Sequence, residues 1–203
     1  MNERISKLTE LTMSGKMYAA PTKTEFDRMD LFLPDDERNA KQISEYILNQ
    51  TPVLNEYSAF TGFFKFDGCV IGDVFTRVGH KNTDKLLEKF IYRNIDGLST
   101  LDWQHGTADY SRVLEVGISG IIQDAEYWMK KHTDPKKISF LTALGGIAKA
   151  LSLWCVRCSE ITDGFIKNVT DKETKTRLTR LSKALLSISK NAPKSFFEAV
   201  LTV

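Results

Sequence analysis

The stretch TDKETKTRLTRLSKALLSI, residues 170–188, decides the fold class. Leu178, Leu181, Leu185 and Ile188 return at alternating steps of three and four residues, the period that brings side chains onto one face of an α-helix. Thr170 followed three positions later by Glu173 is the capping-box pattern that opens such a helix. The Lys-rich positions of 172–183 alternate with Glu173 and threonines, as a solvated helix face does.

Working outward, Asp134-Pro135 opens a long helical run, since proline at the first position loses no needed donor. That run is predicted to end near Asn168 and to bend at Gly145-Gly146. The helix before it carries Tyr110, Leu114, Ile118, Ile121, Ile122 and Ala125 on one stripe, with Asp109 placed to cap it. Gly117 and Gly120 each cost that helix about 1 kcal/mol relative to alanine, so they are predicted to admit another backbone. On the other side, Asn191-Ala192-Pro193 stops the 170–188 helix, and Ser195 with Glu198 repeats the capping pattern. Phe196, Phe197, Ala199, Val200, Leu201 and Val203 follow. Isolated helices need about 12–15 residues, so this stub reads either as a chain cut mid-domain or as a short helix docked in a groove of its own domain.

Further upstream, Pro34-Asp35-Asp36-Glu37 starts a helix with acidic residues facing the positive end of its dipole and with Ile43, Tyr46 and Ile47 at helical spacing. Residues 59–80 mix Phe60, Phe63, Phe64, Phe66 and Phe75 with four glycines and read as irregular, packed chain. A helix is predicted over 83–93, burying Leu86, Leu87, Phe90 and Ile91, and residues 101–110 read as a polar, aromatic loop. With no repeat, low-complexity tract or linker, residues 1–203 form one helical unit of mainly α class.

The 203 residues carry 28 Lys+Arg against 26 Asp+Glu, a net charge of +2, which argues against a nucleic-acid protein because phosphate binding needs a concentrated basic face. Three cysteines do not make a disulfide framework, and no charged-then-apolar leader is present, so a reducing cytoplasm is expected. Charge or glycine interrupts every apolar stretch before the roughly 20 residues needed to cross a bilayer, so no membrane role is expected.

Several residues invite chemistry. Cys155 and Cys158 have a spacing that can chelate zinc or form a disulfide, but a structural zinc wants four ligands, and Leu151, Trp154 and Ile161 mark a helix interior where cysteine packs as a small apolar residue. A small metal or thiol protein is the weakest functional reading. His105 and Asp109 lie in a glycine-containing loop where substrate could bind, against the plainer role of helix cap and loop hydrogen bond. No third group completes a catalytic triad. The glycines and aromatics of 60–79 lack phosphate-loop spacing, and Trp103, Trp128 and Trp154 read as core or interface residues.

Four segments in order resemble the pyruvate formate-lyase-like family of glycyl radical enzymes. They are Glu37-Arg38; Phe66-Asp67-Gly68 with Gly72-Asp73-Val74-Phe75; the run from Trp103 through His105, Asp109-Tyr110 and Val113-Leu114 to Gly117 and Gly120-Ile121-Ile122; and Asn191-Ala192-Pro193-Lys194-Ser195-Phe196-Phe197-Glu198-Ala199-Val200. The resemblance covers the chain from about residue 35 onward and matches the family's amino-terminal helical region. It implies the helical amino-terminal part of an α/β-barrel fold, without the barrel strands that carry the two radical loops.

In complete members a cysteine thiyl radical abstracts hydrogen from substrate and is generated from a stored glycyl radical. Both loops lie downstream of the matching region. Gly68-Cys69-Val70 imitates the thiyl loop but has Ile71 in place of its acidic residue, and Arg77-Val78-Gly79-His80 has its glycine one place early with no aromatic after it. No catalytic residue is therefore assigned. The resemblance implies a partial glycyl radical lyase (formate acetyltransferase-like) or dehydratase of anaerobic metabolism, truncated and inactive alone. A complete member would add the glycyl radical, a homodimer and a radical-SAM activating enzyme or full-length homologue as partner. The alternative is a non-catalytic helical scaffold that binds a protein partner. His105 and Asp109 remain the substrate-binding candidates, with no metal ligands and no cofactor in the chain itself.

Overall fold

A computed structural model describes residues 3–14, 28–49, 52, 54–57 and 109–203. The predicted irregular segment 59–80, the helix over 83–93, and the loop residues His105 and Trp103 lie outside these. The described elements are α1 (Glu3–Met13), a 3-10 turn (Arg28–Phe32), α2 (Asp35–Asn49), α3 (Ser111–Met129), α4 (Pro135–Ile166), α5 (Lys172–Ile188) and α6 (Phe196–Thr202). Every described element is helical, as the mainly α reading requires.

The long helix α4 is the central strut, with α2, α3 and α5 packed along it and α6 laid against α5 and α3. At 1.5 Å per residue its 32 residues span about 48 Å. By length and composition α4 is long and apolar enough to cross a membrane, contrary to the expectation that no stretch qualifies. Here α2, α3 and α5 pack along it, and two of its serines bond to carbonyls of α5 and the residue after it. Ser159 Oγ meets the Ser182 carbonyl at 3.0 Å, and Ser152 Oγ donates to the Ser189 carbonyl at 2.8 Å.

The core is built by Ile118 of α3, Ala148, Trp154, Cys155 and Cys158 of α4, and the α5 stripe Leu178, Leu181, Leu185 and Ile188. Burying each large aliphatic side chain is worth about 1.5–3 kcal/mol, which is what drives α5 onto α4. Leu181 is fully buried. Trp154 lies in this core, whereas Trp128 is half exposed at the end of α3.

Three helix starts follow the expected chemistry, and one of them is shifted by one residue. Asp134 caps α4, accepting the Lys136 amide with Pro135 in the first turn. The cap of α5 is Asp171 and not Thr170, because Asp171 has the extended backbone that points its carboxylate at the Thr174 amide, 2.7 Å away. For α6, Ser195 Oγ accepts the Glu198 amide at 3.2 Å, while Glu198 returns to the Lys194 amide at 2.6 Å.

The chain preceding α3 is held by arginines of α1, α4 and α5. Arg157 of α4 donates to the Leu48 carbonyl at the end of α2, a helix with no basic residue in its last turn. Arg177 of α5 donates to the Glu56 carbonyl, and Arg4 of α1 to the Tyr57 carbonyl at 2.7 Å. Burial, and then the nearby Arg4 charge, pull Arg177 below the ordinary guanidinium value. Buried Asp30 accepts from Lys41 at 2.6 Å and ties the 3-10 turn to α2.

Candidate functional site

The start of α3 contains the most specific sequence signature. Asp109 is exposed, and its Oδ1 accepts from the Ser111 amide at 2.9 Å and from the Ser111 hydroxyl at 2.5 Å. Those bonds, the hydroxyl's first, hold its carboxyl below the usual carboxylate range. Asp109 thus serves an orphan amide of the first turn, although Tyr110, with helical backbone and no side-chain bond, takes the cap position itself. Tyr110 is 42% exposed, so it drops out of the predicted buried stripe, while Ile118 and Ala125 stay in it. His105, the other predicted substrate residue, lies outside the described residues.

Gly117 breaks α3. Its φ of 71° and ψ of 177° belong to a region open essentially only to glycine. A Cβ there would fall 2.7 Å from the Asn191 carbonyl oxygen and 2.8 Å from Ala192 Cα, so the backbone after α5 occupies the side-chain space. The predicted close approach is therefore found at Gly117. It is not found at Gly120, where a Cβ would meet only Val116 of the same helix, 2.4 Å away. At the predicted bend, Gly145-Gly146, α4 runs through as continuous helix, and a Cβ built at Gly145 would make an ordinary 3.5 Å contact with Ala125 of α3.

The break has a consequence that sequence reading missed. Arg112 Nη2 and Nε reach Asp124 Oδ2 at 2.5 and 3.0 Å, and Nη1 reaches Glu115 at 3.0 Å. In an unbroken helix residues 112 and 124 would stand about 18 Å apart along the axis, beyond the reach of these side chains. Gly117 folds the first turns of α3 back toward Asp124. Asp124 first and Glu115 second raise the Arg112 guanidinium above its ordinary value.

Cys155 and Cys158 are both buried. Burial pushes the Cys155 thiol up from 9.0 to about 11, which removes thiolate character at neutral pH. Among the described residues no three His, Cys, Asp or Glu side chains converge as a metal site would require.

Two open grooves lie among the described residues. A groove of about 330 Å³ at the α3–α4 turn is lined by Trp128, His132 and Phe140 with Lys136 and Lys137. The Trp128 and His132 rings stack with centroids 5.9 Å apart. The larger groove, about 710 Å³, lies between α5 and α6, with Lys172, Lys175, Arg180 and Lys183 along one wall and Phe197 and Glu198 on the other. The guanidinium of Arg180 sits 4.5 Å above the Phe197 ring.

This arrangement of helices recurs in solved enzymes. The chain superposes over 98% of its length on 32% of the glycerol-bound B12-independent glycerol dehydratase from Clostridium butyricum, with a TM-score of 0.66 and 20% identity. A structure concerned with 1,2-propanediol dehydration in Roseburia inulinivorans matches all of this chain with 31% of its own length, TM-score 0.68 and 13% identity. A glycyl radical enzyme from Archaeoglobus fulgidus matches 98% of this chain with 30% of its own, TM-score 0.61 and 15% identity. The chain thus spans about a third of the length of the structures it matches. No curated protein matches.

The fold is that of the helical part of the glycyl radical enzymes. Residues 73–203 match the pyruvate formate lyase-like family, and the chain belongs to that family.

Proposed function

We propose that these residues form the amino-terminal helical layer of a glycyl radical enzyme, of lyase or dehydratase type, and do not by themselves carry the radical chemistry. The observation that carries this reading is that virtually the whole chain superposes on only about a third of each enzyme. The sequence, meanwhile, contains neither an intact thiyl loop nor an intact radical loop. Two of the named neighbours are described by dehydration, of glycerol and of 1,2-propanediol, which favours dehydration over formate chemistry. The expected setting is anaerobic, cytoplasmic metabolism, with a radical-SAM activating enzyme acting on the complete assembly.

The surface agrees with a layer that is covered elsewhere. Phe196 and Val200 of α6 and its C-cap Val203 are 87%, 43% and 58% exposed at helical spacing, and no α6 residue is fully buried. Exposed apolar stripes of this kind mark interaction faces. The test is light scattering and apolar-dye binding on the purified chain, with and without the barrel polypeptide of a glycyl radical dehydratase. Aggregation or dye binding relieved by that polypeptide supports the proposal. A compact, dye-silent particle indifferent to it overturns the proposal in favour of a self-sufficient scaffold. Anaerobic incubation with an activating enzyme and S-adenosylmethionine should give no glycyl radical signal in electron paramagnetic resonance.

A further inference from the structure

We infer that the α5–α6 groove is a docking site for an acidic, amphipathic segment of a partner polypeptide. This goes beyond the layer reading, because it concerns a charged trench and not the apolar face of α6.

The argument is charge complementarity along a defined length. Lys172, Lys175, Arg180 and Lys183 put four positive charges on the groove. No ion pair joins Lys172, Lys175, Arg180 or Lys183 to an acid among the described residues. The one acid in the lining, Glu198, already accepts the Lys194 amide. From Lys172 to Lys183 is 11 positions, about 17 Å of helix, or three turns, so the matching ligand carries carboxylates repeated over three turns. The apolar contribution is Phe197, held in place beneath Arg180, which receives one apolar side chain between the acids. The groove is open along its length, which suits a polymer segment.

Two other occupants fit less well. A small phosphate compound would look for free amides at the α5 amino terminus, but Asp171 already accepts the Thr174 amide there and adds a negative charge. An anionic bilayer requires a convex or flat basic face, and these lysines flank a concavity.

The probe is a fluorescein-labelled synthetic helix with glutamates along one face and leucines beside them, titrated into the full 203-residue chain. The expected result is saturable anisotropy that weakens with salt, since exposed charges are screened beyond about 10 Å at 0.1 M. K175E/K183E should weaken binding by about tenfold or more, because both change a groove cation into its opposite. K136E/K137E, the same charge change on the other groove, should alter it less than about twofold. A lysine-faced version of the peptide should not bind. Equal losses in the two double variants would reduce the effect to net charge and overturn the proposal. So would no peptide binding up to about 1 mM, a level worth only about 4 kcal/mol. Groove-dependent sedimentation with phosphatidylglycerol vesicles and no peptide binding would assign the surface to membranes, and self-association lost in K175E/K183E would assign it to a second copy. Dye binding by α6 is read separately, so failure here leaves the layer proposal standing.

Discussion

Gly117 of α3 and Ala192 after α5 share one volume: the place of a side chain on the first is filled by the backbone of the second, 2.8 Å from where a Cβ would be. The contact joins positions 75 residues apart and couples the break in α3 to the turn that delivers α6. It also explains why Arg112 can close on Asp124, since only a break between them shortens their separation.

Gly117→Ala should therefore be severe. The substitution forces a side chain into a glycine-only conformation, costing about 1–3 kcal/mol, and drives a methyl into backbone that cannot rotate away. A total loss of about 3 kcal/mol, read by urea unfolding, is the expected outcome. Gly146→Ala is the control: it has nothing within 4 Å of its built Cβ and lies in unbroken helix. It should be neutral or stabilising by up to about 1 kcal/mol. Similar losses in both variants would show that the Gly117 contact is not formed in solution.

Cys155 supplies a pH prediction. Its thiol is held neutral by burial up to about 11 in the folded chain, above the usual 9.0. A raised acid pKa contributes stability that is fully present below the usual value and is lost as pH rises from 9.0 toward about 11. Alkylation by iodoacetamide at pH 8 should leave Cys155 unmodified in the native chain and modify it in urea, because the thiolate is the nucleophile. Mass spectrometry of tryptic peptides reads both states, and rapid native labelling would contradict the buried placement.

How far the sequence reached depends on whether a feature is local. The α5 stripe is legible because Leu178, Leu181, Leu185 and Ile188 carry their own period, and all four are buried. The α5 cap was one residue off because Thr170 and Asp171 are both capping residues, and backbone angles choose between them. The helix glycines at 117 and at 145–146 look alike in sequence, yet only Gly117 breaks its helix. What separates them is the approach of residues 191–192, which no local pattern contains. In sequence the Lys172–Lys183 face has only the pattern of a solvated helix face, since its groove exists only once Phe197 stands opposite it. Of the predicted substrate pair, Asp109 accepts the Ser111 amide and hydroxyl at the start of α3, and His105 lies outside the described residues.

Arg157→Met should loosen α2 without emptying the core. Methionine keeps an apolar stem while removing the charged donor to the Leu48 carbonyl. The α2 terminus has no basic residue of its own in the last turn to replace it. A hydrogen bond from a charged donor is worth about 1.5–3 kcal/mol at most when partly buried. Hydrogen exchange should quicken in the last turns of α2 while α5 amides keep their protection. Uniform loss of protection would mean that the arginine supports the whole bundle.

Ser195→Ala tests whether α6 depends on its cap. The helix has seven residues and none is fully buried, so its stability rests on the cap and on the packing of Phe197 and Leu201 against the core. Removing the hydroxyl costs about 1 kcal/mol, a large share for so short a helix. Because α6 packs mainly on α5, the loss should be local, seen as faster exchange and proteolysis after Lys194 with a global melting temperature little changed. Leu181→Ala marks the opposite extreme, where a fully buried core side chain is removed and about 2–5 kcal/mol of global stability goes with it. If Ser195→Ala lowered global stability as much as Leu181→Ala, α6 would have to be part of the cooperative core, and the picture of a stub laid on the surface of α5 would be wrong.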